Sequence, residues 1–196
     1  MNEQIAEILT RIRELEDNLE QEFERSRARY EVQFRGKIAE FRKEVVAQHK
    51  RLRMGLIQFF RTAGFWSILA TPVIYSMFIP LALLDIWITL YQHICFRAYG
   101  IPRIRRSKYI VLDRQHLAYL NFIEKLNCIY CGYGNGVIAY AREIAGRTEQ
   151  YWCPIKHAVR IRDPHRRYLK FLDYGDAEGY RRKLQNYRKD VQKKPE

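Results

Sequence analysis

Cys128-Ile-Tyr-Cys131, followed later by Cys153-Pro-Ile-Lys-His157, is the densest chemical signal in the chain. Two cysteines separated by two residues can grip one metal ion from a single tight turn. A cysteine and a histidine four positions apart leave the same face of a helical turn and can complete a tetrahedron. Gly132, Gly134 and Gly136 would let the backbone double back as a knuckle around the first pair. The expectation is a structural Zn²⁺ held by Cys128, Cys131, Cys153 and His157. The same four donors suit iron or an iron–sulfur centre, and Cys128 with Cys131 could instead open and close a disulfide. His116 and His165 are spare histidines without comparable spacing; His165, in a basic run after Pro164, is expected at the surface.

No catalytic residue stands out. Gly132-Tyr-Gly-Asn-Gly lacks the Lys-Ser/Thr that a phosphate loop needs. The acids Glu124, Glu143 and Glu149 have ordinary helix-surface spacing, and a closed Cys3His set leaves no open coordination position. The chain therefore reads more readily as a non-enzyme.

The element that must place this cluster is apolar. Thr62 to Leu84 carry no charged side chain, Asp85 interrupts, and apolar character resumes from Ile86 to Phe96. About 20 apolar residues suffice for a helix to cross roughly 30 Å of hydrocarbon. Lys50, Arg51, Arg53 and Arg61 flank one side, and Arg97, Arg103, Arg105, Arg106 and Lys108 the other. A single span should have Lys and Arg concentrated on one flank. The symmetry favours a hairpin or shallow insertion turning near Pro80 or Asp85, with a single span as the alternative. Asp85 reads as a head-group or hairpin-tip residue, and a relay through Asp85 and His93 is the sharper alternative.

Ahead of this run, Ile5, Ile8, Ile12, Leu15 and Leu19 follow the 3-4 spacing of a coiled-coil seam. The seam shifts register through Phe23, Tyr30, Phe34, Ile38, Phe41 and Val45, so one long helix is expected to reach Gly55, self-associating through residues 5–23. Residues 1–24 hold eight acids against two bases, whereas the whole chain carries a net charge of +13. That balance favours anionic lipid head groups or nucleic acid. The amino terminus has no basic patch followed by an apolar core, so no secretory signal is expected.

After residue 97, Asp113 is a plausible cap for a helix from Arg114 to Leu126. A second helix from Val137 should stop at Gly146, and Gly175 to Glu196 reads as a loosely ordered basic tail. The expected fold is mainly α. It comprises a coiled-coil-like helix (1–54), a membrane hairpin or span (55–96), a small helical metal-knuckle domain (97–174) and a basic tail (175–196). The functional reading is a membrane-anchored scaffold at the inner, cytoplasmic membrane, with both termini cytoplasmic and an unknown protein partner. A membrane-tethered redox protein and a tethered nucleic-acid-binding module are the alternatives.

Overall fold

The computed structural model describes residues 3–29, 32–35, 38–41 and 43–193. The chain is mainly helical and divides into two compact units, residues up to 62 with 113–126, and residues 63–112 with 127–196.

The first unit opens with α1, Glu3–Arg29. Instead of one unbroken helix to Gly55, an antiparallel pair follows, β1 (Val32–Arg35) and β2 (Ile38–Phe41), in the register Val32↔Phe41 to Arg35↔Ile38. Val32-Gln-Phe-Arg and Ile38-Ala-Glu-Phe are short runs carrying β-branched and aromatic residues, which suit a pleated strand better than a helix. The apolar positions assigned to a shifted helical seam at Phe34, Ile38 and Phe41 are thus strand residues, and Tyr30 lies outside the described residues. Helices α2 (Lys43–Arg51) and α3 (Leu56–Thr62) complete this part. The expected helix from Arg114 is only a three-residue 3₁₀ turn, Arg114–His116.

The true helix start lies further on. The Asn121 side chain accepts from the Glu124 backbone N–H at 3.0 Å, and the Glu124 carboxylate accepts from the Asn121 N–H at 2.7 Å. This reciprocal capping box satisfies two backbone donors that helix geometry would orphan. Asn121→Ala should cost about 1 kcal/mol of stability, read as a lower unfolding midpoint.

The second unit contains a continuous helical run from Phe65 to Tyr99: α4 (Phe65–Ser76), α5 (Phe78–Tyr91), a π-helical turn (Gln92–Phe96) and α6 (Arg97–Tyr99). Pro72 and Pro80 do not turn the chain back, so the expected hairpin is replaced by one helix. Pro80 falls in the first turn of α5, where its missing N–H costs little. Gly100, at φ 69°, ends the run in the left-handed conformation that favours glycine.

Helix α7 then runs from Phe122 to Trp152, straight through Gly132, Gly134, Gly136 and Gly146. The expected tail holds a further helix, α8 (Ala177–Gln192), capped by Asp176, whose carboxylate accepts from the Gly179 N–H at 2.8 Å. Its Val191 is buried with Phe96, Ile101, Ile104, Tyr140 and Ile144, so α8 belongs to the core. Lys and Arg on its outer face gave the segment its tail-like composition.

Candidate functional site

The four predicted metal ligands do not converge. Cys128 and Cys131 sit one turn apart on α7, while Cys153 lies just beyond its end. Twenty-two helical rises separate Cys131 from Cys153, roughly 33 Å. His157 stacks on Tyr168, with ring centroids 6.0 Å apart. Among the described residues no group of three or more His, Cys, Asp or Glu can hold a metal ion, and all four cysteines are free. The zinc expectation is therefore corrected, and with it the iron and iron–sulfur alternatives. The redox reading loses the centre on which it depended, and no cysteine pair at disulfide spacing is present to replace it.

The physical reason lies in the glycines. A knuckle uses them to bend the chain, whereas α7 uses them to let other groups come close. A Cβ at Gly136 would stand 2.8 Å from Ile110 Cα and 2.9 Å from the Tyr109 carbonyl oxygen, and one at Gly146 would stand 3.0 Å from the His165 ring. His165 is accordingly tucked against α7, its Nε2 2.8 Å from a Glu149 carboxylate oxygen, and is not a surface residue. We expect Cys131→Ser to leave the unfolding midpoint within about 0.5 kcal/mol of the parent, as at an exposed site away from special features. Elemental analysis should find no stoichiometric zinc or iron in either protein.

The geometry that does form is a polar seam between the apolar helix and α7. Asp85, the one acid of the run, is 7% exposed. Arg106 Nε donates to its Oδ1 at 2.9 Å, and the Tyr133 hydroxyl donates to its Oδ2 at 3.0 Å. Two turns on, the Ile104 N–H donates to Gln92 Oε1 at 3.0 Å, and Gln92 Nε2 donates to the buried Tyr140 hydroxyl. Tyr91 and Thr148 hydroxyls meet at 3.0 Å. Nearer the start of the helix, the Tyr130 hydroxyl donates to the Ile74 carbonyl at 2.7 Å, and Tyr75 bonds to Asn127.

This seam explains why a polar stripe can stand in an apolar helix. Asp85, Gln92 and Phe96 recur at helical spacing and face protein, where each polar atom has a specific partner. The carboxylate of Asp85 beside it raises the Arg106 pKa further above its ordinary value. Burial chiefly, then the hydrogen bond to Asp85, raises the Tyr133 phenol, so it stays a neutral donor at physiological pH. His93 takes no part: its Nδ1 lies 2.7 Å from the Thr89 carbonyl on its own helix. Asp85 is thus neither a hairpin tip nor a relay partner of His93. What the sequence did not reveal was the pairing of Arg106 and Tyr133 with Asp85, and of Tyr140 with Gln92. A buried acid demands a cation, and the cluster Arg103-Ile-Arg-Arg just after the apolar run was the available signal.

Away from the seam, the opposite surface of the apolar helix is uncovered. Its most apolar window has a mean hydropathy of 2.0 and is only 6% buried. Phe65, Trp66, Leu69, Val73, Ile79 and Trp87 are all more than half exposed. By length and composition, this helix is able to cross a membrane. Elsewhere in the unit, a hollow of about 780 Å³ is bordered by Lys156, His157, Arg160 and Arg162, with Tyr168 among its walls. Lys156 is paired with Asp173 at 2.8 Å, which holds the Asp173 carboxyl below the usual range.

Comparison with protein-family models, with curated proteins and with solved structures finds no match to this chain.

Proposed function

We propose that this protein is a non-catalytic scaffold anchored to a membrane by the Phe65–Tyr99 helix. The observation that carries the reading is that this helix is strongly apolar and that its most apolar stretch is almost uncovered. A soluble protein seldom leaves so large a contiguous apolar surface to water. Asp85 and Gln92 support the same reading, because their polarity is spent on partners within the protein and not on solvent.

Further support comes from charge. The net charge of +13 suits anionic head groups, as do Arg160 and Arg162 beside their hollow. Cationic flanks on both sides of the apolar run favour insertion from one face of the inner membrane, with both termini in the cytoplasm. The scaffold would assemble through α1, whose Ile8, Ile12, Leu15 and Leu19 are 40–61% exposed at coiled-coil spacing. A second copy of this chain is the partner that such a seam suits, and the assembled surface would recruit a further protein.

Vesicle flotation tests the anchor. The parent protein should float with vesicles containing anionic lipid, and Leu69→Asp with Val73→Asp should leave it at the bottom of the gradient. Cysteines placed at Arg53 and Arg105 of a background lacking the native four should react alike with an impermeant maleimide on sealed vesicles. Reaction of one and protection of the other would show that the flanks lie on opposite sides. Salt-sensitive retention on RNA or DNA without flotation would replace the lipid reading with the nucleic-acid one. Self-association is checked separately, by light scattering of the parent beside Ile12→Asp.

A further inference from the structure

The geometry points to a slanted, one-sided contact with lipid: the membrane covers a ridge of the apolar helix as far as Ile94, while the rest of the unit sits on the water side of that helix. The inference rests on the membrane reading above and adds which residues meet the acyl chains.

Two faces of the helix have different neighbours. One presents Asp85, Gln92 and Phe96, each no more than 7% exposed, to α7 and the segment around Ile104. The other presents Ile79, Leu83, Ile86, Leu90 and Ile94, all between 49% and 66% exposed. At about 100° per residue these two sets stand on opposite sides of the helix. The exposed ridge continues without a charged residue into the segment from Phe65 to Ile74, which is exposed throughout.

A second copy could cover one side of that first segment but not all of it. Lipid covers every side at once, and the ridge from Ile79 to Ile94 is continuous with it. Lipid is therefore the occupant along the full length. From Phe65 to Ile94 the apolar surface measures about 44 Å, against roughly 30 Å of hydrocarbon in a bilayer. An upright span would leave Leu90 and Ile94 in water. Keeping both in lipid demands a tilt of at least about 47°, well beyond the usual value of about 20°, and a helix lying still flatter keeps both of its flanks on one side. Such a slant brings the polar side of the unit down onto the membrane surface. Arg103 and Arg105, both exposed, then lie where anionic head groups can reach them.

Tryptophan quenching by lipids brominated in their acyl chains tests this. The native Trp66, Trp87 and Trp152 are changed to Phe, and single tryptophans are placed at Val73, Ile94 or Tyr174, all exposed. Each variant is bound to vesicles of brominated phosphatidylcholine with phosphatidylglycerol, after circular dichroism confirms the parental helix content. Tryptophan at 94 should be quenched as strongly as at 73, and tryptophan at 174 should not. Quenching at 73 with none at 94 overturns the slanted contact and leaves the anchor in place. A blue-shifted but unquenched tryptophan at 94 also overturns it, because protein then covers the ridge. Quenching at neither 73 nor 94 overturns the inference and the membrane reading together.

Discussion

Arg106→Ala is expected to destabilise the second unit by about 2–3 kcal/mol, the largest loss among single side-chain truncations of the polar seam. Removing one member of a fully buried ion pair costs about 3–5 kcal/mol because the other charge stays behind unpaired. Here the Asp85 side chain is 10% exposed and the Arg106 side chain 46% exposed, so water can partly replace the guanidinium and the cost falls. Tyr133 still donates to Asp85 but cannot neutralise it. The contrasting result comes from removing both charges. Asp85→Leu with Arg106→Leu should recover most of the stability lost by Arg106→Ala, since paired replacement avoids the stranded carboxylate. Unfolding in mild detergent, followed by near-ultraviolet circular dichroism, compares the parent with the two variants. A loss below about 0.5 kcal/mol for Arg106→Ala, the range of an ordinary surface change, would mean that Asp85 is solvated and the seam is not a closed junction.

The same pair shows what was legible in the sequence. The apolar run, its uninterrupted length and its cationic flanks could be read directly, because hydrophobic content needs no partner to be recognised. The arginine cluster after the run signalled a cation for Asp85 but not which one, since 21 residues separate it from Arg106 and only the fold brings the return segment back. His93 is nearer in sequence, but eight residues of helix hold it about 12 Å along the axis from Asp85, and its Nδ1 lies against the Thr89 carbonyl. The hairpin expectation failed for a related reason. Pro80 reads as a breaker in isolation but sits harmlessly in the first turn of α5, and the cations on both flanks carry no information about a bend. In α8, apolar residues are sparse enough to resemble a tail, yet Val191 at 2% exposure and the Gln192 bond to the Tyr99 carbonyl at 2.7 Å tie it down. Composition averages over a helix surface and so conceals the one or two residues that dock it.

The metal expectation failed at the glycines, and a graded alanine series makes their actual role measurable. In a helix interior alanine is favoured over glycine by about 1 kcal/mol, so each substitution begins with a gain. At Gly132 the new Cβ meets the Leu112 Cδ2 at 3.3 Å, a side-chain tip that can give way, and the Val111 carbonyl oxygen only at 3.4 Å, ordinary contact, so Gly132→Ala should be neutral or stabilising. At Gly134 the neighbour is Leu81 Cδ1 at 3.1 Å, again a side-chain end but tighter, so the gain is partly lost. At Gly136 the neighbours are backbone, Ile110 Cα at 2.8 Å and the Tyr109 carbonyl at 2.9 Å. Relieving that overlap requires moving the return segment away from α7, and overpacking of this kind costs about 1–3 kcal/mol or more. Gly136→Ala should therefore be a net loss of about 1–2 kcal/mol despite its better helix propensity. The order of unfolding midpoints, Gly132→Ala above Gly134→Ala above Gly136→Ala, separates the two accounts of this segment. A turn wrapped around a metal would need glycine for its backbone angles and suffer at all three positions, whereas a helix suffers most where another backbone presses closer than van der Waals contact, at Gly136.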